Sequence, residues 1–192
     1  RRLKKCQIRF NLSKLKNTIM KIELKQIKYS DWASEETSCF QANIYLNGKK
    51  VGFCNNDGKG GCTSYNRVTG ISYEVIHEME TYCEGLPPIV YESNLYKEGK
   101  CVIKMTLEHY LDDLFYAYLK AKDKAKMDKK MDKAILIGKE NSYRIISFKM
   151  PLKDMWETHP QFFAQTLKES LNKYAVNGNT LLNKNIPQQF LN

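Results

Sequence analysis

No run of 18 apolar residues occurs anywhere in the 192-residue chain, so no membrane-crossing helix is expected and the protein reads as soluble. The six cysteines, Cys6, Cys39, Cys54, Cys62, Cys83 and Cys101, are scattered singly. They lack the close pairs of common zinc modules and the regular frame of a disulfide scaffold, and read as reduced thiols of a cytoplasmic protein. Only three histidines are present, and no tight group of carboxylates accompanies them. The expectation is a protein without catalytic residues, metal or cofactor.

What is present is enough apolar material for a core: 42% of residues are hydrophobic, with 12 Tyr and 8 Phe. One α+β domain over residues 20–176 is expected, followed by an Asn-rich tail over 177–192. The net charge of +10 is uneven. Residues 1–19 hold seven of the 31 bases and no acid, leaving 24 bases against 21 acids, or +3, in the rest. Lys120 to Lys133 contributes seven lysines and three aspartates, so the remaining body is close to neutral.

Residues 1–19 form a basic leader with several readings. Met20-Lys21-Ile22-Glu23-Leu24 resembles a natural start, which makes the leader upstream sequence outside the native fold. Ile8, Leu12, Leu15 and Ile19 fall on one helical face, whereas Cys6, Ile8, Phe10 and Leu12 alternate as in a strand.

The strongest local signal is a hairpin. Phe40 to Leu46 alternates apolar and polar residues, Asn47-Gly48 accepts positive φ, and Lys49 to Cys54 returns. A two-residue turn pairs Leu46 with Lys49, Ile44 with Val51 and Ala42 with Phe53. This puts Phe40, Ala42, Ile44, Leu46, Val51 and Phe53 on one face and Gln41, Asn43, Tyr45, Lys50 and Gly52 on the other. Met20 to Tyr29 is expected to add a third strand, joined through the polar connection Ser30 to Ser38.

Helical periodicity follows at Ile71, Val75, Ile76, Met79, Tyr82 and Cys83, stopped by Gly85-Leu86-Pro87-Pro88. Ile89-Val90-Tyr91 and Cys101 to Met105 read as short extended segments. Thr106 caps a long helix with Leu107, Tyr110, Leu111, Leu114 and Tyr118 on its apolar face. Ala134 to Gly138 and Tyr143 to Phe148 predict a second hairpin covered on both faces. Pro151 and Pro160 mark helix starts, and Phe163, Leu167, Leu171 and Tyr174 supply the last apolar stripe. The resulting fold class is α+β: an antiparallel or mixed sheet with an N-terminal hairpin and helices packed mainly on one face.

The glycine cluster Asn56, Asp57, Gly58, Lys59, Gly60 and Gly61 follows the first hairpin and is the candidate binding loop. It fits neither G-x-x-x-x-G-K-[ST] nor G-x-G-x-x-G, so two readings remain, a backbone nest for an anion and a mobile or tightly turned loop. Cys54, Cys62, His77 and Cys83 have the donor chemistry of zinc ligands, and His77 or His109 that of a base for a cysteine, but the spacings carry neither. Asp112 and Asp113 are adjacent and point about 100° apart on a helix, too divergent to share one ion.

The run Ser34-Glu35-Glu36-Thr37, through CFQANIYLNGKKVGF to NNDGKGGCTSY, resembles the N-terminal portion of uncharacterised small proteins of phages and mobile genetic elements. The resemblance spans about a quarter of the chain and implies context only. Such accessory proteins bind a host protein or associate with nucleic acid. The favoured expectation is a non-enzymatic module that binds a host protein through the glycine loop and hairpin surface. The alternative is nucleic-acid binding through Lys122, Lys124, Lys126, Lys129 and Lys130, with Tyr45 or Tyr65 stacking on bases; a second alternative is an uncharacterised enzyme.

Overall fold

Alternation over residues 20–67 builds a four-stranded antiparallel sheet in the order β1 (Ile22–Ser30), β2 (Cys39–Leu46), β3 (Lys49–Asn56), β4 (Ser64–Arg67). The computed structural model describes residues 20–92, 99–139 and 142–191, so the basic leader lies outside the described residues. Asn47 and Gly48 carry the reversal between β2 and β3 with φ of 49° and 82°.

The register of that hairpin departs from the expected one at a single point. Leu46 faces Lys49 and Tyr45 faces Lys50, but Ile44 then faces Gly52, so Val51 is an extra residue, a β-bulge. Beyond it Asn43 faces Phe53 and Ala42 faces Cys54. Ile44 and Val51 share the covered side as expected, whereas Phe53 turns outward and Cys54 is fully buried. Glycine suits the bulge because a Cβ at Gly52 would lie 2.6 Å from the Asn66 carbonyl oxygen. β1 carries its own bulge between Lys25 and Lys28, with Gln26 at φ 54°.

The chain divides into two compact units between Ala117 and Tyr118. In the first, Phe40, Ala42, Ile44, Val51 and Cys54 point inward with Ile76, Met79 and Cys83 of α1 (Tyr73–Glu84). Leu107, Leu111 and Phe115 of α2 (Leu107–Met131) complete this buried set. The Val, Leu, Ile, Phe and Met side chains among them each contribute roughly 1.5–3 kcal/mol by leaving water. Ser72 caps α1, and Thr106 caps α2 by accepting the His109 amide. β5 (Ile89–Glu92) and β6 (Lys100–Ile103) form a separate two-stranded ribbon with Val90 and Val102 exposed.

In the second unit the order is β8 (Ser142–Ser147), β7 (Ala134–Lys139), β9 (Thr180–Leu181), all antiparallel. Only β7 is covered on both faces. Its Ile135 and Ile137 join Leu152 and Met155 of α3 (Leu152–Thr158) and Phe163 and Leu167 of α4 (Pro160–Tyr174), while Ala134 and Leu136 pack with Met131. Among the described residues β8 is an edge strand, and its Ile145 stays half exposed. The Asn-rich tail supplies β9 and a buried Asn183, whose side chain accepts from the Leu136 amide and donates to the Met131 and Ala134 carbonyls. The α+β class stands, with every strand pair antiparallel.

Candidate functional site

The glycine loop is a knot rather than a cradle. Asn56 is buried, and its Oδ1 accepts from the Gly58 amide at 2.9 Å and from the Thr37 hydroxyl at 2.8 Å. Its Nδ2 donates to the Gly61 carbonyl and to Thr63 Oγ1. The Lys59 amide donates to Asp57 Oδ1, and the Gly60 amide to Thr37 Oγ1. Three successive N–H groups that a nest would aim at an anion are thus already partnered. The Gly58 carbonyl accepts the amides of Glu35, Glu36 and Thr37, binding the loop to the β1–β2 connection. Gly58, at φ 86°, has no space for a side chain beside the Ala33 carbonyl and Cys39. Of the six loop residues, Asp57, Lys59, Gly60 and Gly61 are exposed, while Asn56 and Gly58 serve the knot.

Beside the loop, Thr63 is held by α2: its amide donates to Glu108 Oε1 and its hydroxyl to Asp112 Oδ1 at 2.6 Å. Burial raises the Asp112 carboxyl, against the lowering effect of the Thr63 hydrogen bond. The neighbouring Glu108 raises the Cys62 thiol through a hydrogen bond and its charge. Burial pushes Cys54 to about 12 and Cys83 to about 11. Every one of these shifts favours the protonated thiol, the opposite of nucleophile activation. His77 is near Glu80 at 3.6 Å, and His109 Nδ1 lies 3.1 Å from Thr106 Oγ1 in the α2 cap. Among the described residues no three His, Cys, Asp or Glu side chains are placed to hold a metal ion, so Cys54, Cys62, His77 and Cys83 do not converge on one.

The lysine segment of α2 is helical and exposed on nearly all sides. By helical geometry Lys122, Lys126, Lys129 and Lys130 fall within about 100° of one another, with Lys124 on the far side. Lys126 pairs with Asp123 at 3.1 Å and Lys130 donates to the Tyr143 hydroxyl at 2.9 Å. Lys122 Nζ lies 5.9 Å from the centre of the Tyr118 ring, so three of the four aligned lysines have local partners.

The open side of the four-stranded sheet carries the expected hairpin face of Gln41, Asn43, Tyr45 and Lys50, and what sequence reasoning missed there is Phe53 with Lys25, Lys28 and Asn66 beside it. A groove of about 800 Å³ runs over it, with Gln26, Lys28, Gln41, Asn43, Phe53 and Asn55 among its walls. Cross-strand pairing sets the rows: Glu23, Tyr45 and Lys50; Lys25, Asn43, Phe53 and Asn66; Lys28, Gln41, Asn55 and Ser64. Asn43 Nδ2 donates to Gln26 Oε1 across the β1 bulge, and Lys25 Nζ lies 4.7 Å from the centre of the Tyr45 ring. Phe53 is 43% exposed at the middle of this polar surface. Glu23 is held below the usual carboxylate range, first by its hydrogen bond to Lys21, and Lys25 lies 3.7 Å away. Lys28 and Lys50 have no ion pair among the described residues. Tyr65 faces the other way, its hydroxyl donating to Glu80 of α1; burial first, and then this hydrogen bond, raises its pKa strongly. The available signal was Gly52, since an isolated glycine inside a strand pattern marks a bulge.

No family model, curated protein or solved structure matches this chain.

Proposed function

We propose that the protein is a non-enzymatic nucleic-acid-binding module, an accessory protein of a phage or mobile element, whose contact surface is the open face of the β1–β4 sheet. The observation that carries this reading is the composition of that face. Lys25, Lys28 and Lys50 stand there with the amides of Gln26, Gln41, Asn43, Asn55 and Asn66, and Glu23 is the one carboxylate in the three paired rows. Lysines neutralise phosphates, and side-chain amides both donate and accept hydrogen bonds. Such a face suits a host protein less well, because lysine is depleted where protein interfaces close. The lysine stripe of α2 adds favourable charge, but its internal pairings make it the weaker candidate.

Fluorescence anisotropy with a labelled 20-nucleotide strand over a salt series tests the reading. Contacts to single-stranded phosphates give a log–log salt slope of about −0.7 each. Replacing Lys28 and Lys50 with Gln should flatten the slope by about 1.4. Absence of binding, or binding whose salt slope ignores these two lysines, refutes it.

A further inference from the structure

We propose that the ligand of the sheet face is single-stranded nucleic acid, with unstacked bases lying on Phe53 and Tyr45; this rests on the reading of that face as a nucleic-acid interface. Phe53 occupies an interior strand, yet its cross-strand neighbours on the open side are Asn43 and Asn66. Its ring thus meets water among amides at 43% exposure, with no aromatic ring packed on it among the described residues. Tyr45 is its diagonal neighbour on β2, placed by the pairings Asn43 with Phe53 and Tyr45 with Lys50. Diagonal side chains on a sheet stand about 7–8 Å apart, a step compatible with successive bases of an extended strand.

The chemistry separates a single strand from a duplex. In a duplex the flat faces of the bases are stacked on one another and only their edges reach the grooves. A rigid sheet bearing outward aromatic rings offers what an unstacked base needs, a flat apolar partner with hydrogen-bonding groups around it. Lys25 lies beside Tyr45, and Lys50 shares its row. Rings and charges therefore alternate across the face as bases and phosphates do along a strand. The acids Asp31, Glu35 and Glu36 in the β1–β2 connection oppose phosphate there, so the exposed Trp32 among them is outside the proposed track.

Binding of labelled dT20 and of a 20-base-pair duplex to the full chain at equal salt distinguishes the cases. Tighter binding of dT20 than of the duplex is expected. Phe53→Ala should weaken dT20 by about tenfold, with Phe53→Leu nearly as damaging and Phe53→Trp close to the parent. Phe53 is exposed, and near-ultraviolet and far-ultraviolet circular dichroism confirm that each variant keeps the fold. Trp32→Ala should leave dT20 affinity within about twofold, since stacking losses concentrate on the rings that touch bases. Equal or tighter duplex binding that still depends on Lys28 and Lys50 overturns the single-strand proposal and leaves the nucleic-acid reading standing. Unchanged dT20 binding by Phe53→Ala also overturns it. Failure of both nucleic acids to bind removes both, as does a protein partner that survives nuclease and is lost with Phe53→Ala.

Discussion

Phe40 of β2 and Phe115 of α2 stack face to face, with ring centroids 3.9 Å apart and planes 8° from parallel. Both are buried, and Tyr29 packs against the same Phe115 ring at 5.7 Å. This stack ties the covered side of the sheet to the helix, so Phe115→Ala should cost about 3–5 kcal/mol. Urea denaturation of parent and variant measures it. A loss below about 1 kcal/mol would mean the stack is not central to this core.

Glycines 58 and 61 should respond differently to alanine although three residues apart. Gly58 has a positive φ and collides with the Ala33 carbonyl once a Cβ is added, whereas open space surrounds Gly61. Gly58→Ala is expected to destabilise by at least about 1 kcal/mol, and Gly61→Ala to lie within about 0.5 kcal/mol of the parent. Thermal unfolding of the pair decides whether the loop is a knot. Equal responses would argue for a loosely held segment.

Asn183 illustrates how the tail completes the second unit. Asn183→Ala leaves the buried Leu136 amide without its acceptor and removes a donor from the Ala134 and Met131 carbonyls, of which Met131 keeps Asn185 Nδ2, a cost of about 1–3 kcal/mol. Exposed Gln189→Ala should change little. Amide hydrogen exchange is the sharper measurement, because Leu136 should lose protection first. Retained protection at Leu136 would contradict the assigned bond.

Asp112 gives a pH dependence of definite sign. Burial raises its folded value above the usual 3.8, so the folded state binds the proton more tightly than the unfolded chain. Its contribution is most favourable below 3.8 and is lost as pH rises through the folded value. Asp112→Asn keeps an acceptor for Thr63 and removes the buried charge. The variant should therefore gain stability relative to the parent between pH 3.5 and pH 7. Urea titrations across that range check the trend; a gap that narrows with rising pH would reverse the assignment.

Local chemistry alone determined much of this protein. Positive φ at Asn47-Gly48, caps at Ser72 and Thr106, and prolines at helix starts act within a few residues, so the α+β element order and most helix faces are legible. The tertiary structure decided what depends on partners distant in the chain. Val51 is the extra residue in the pairing of β3 with β2, and that shift of register turns Phe53 out and draws Cys54 in. Likewise the Gly60 amide finds Thr37 and the Gly58 carbonyl the amides of Glu35, Glu36 and Thr37, some 20 positions earlier, and Asn183 finds its partners near position 131. A pattern of period two records alternation, but not the single extra residue that reverses it, since the energy of a bulge resides in contacts between strands.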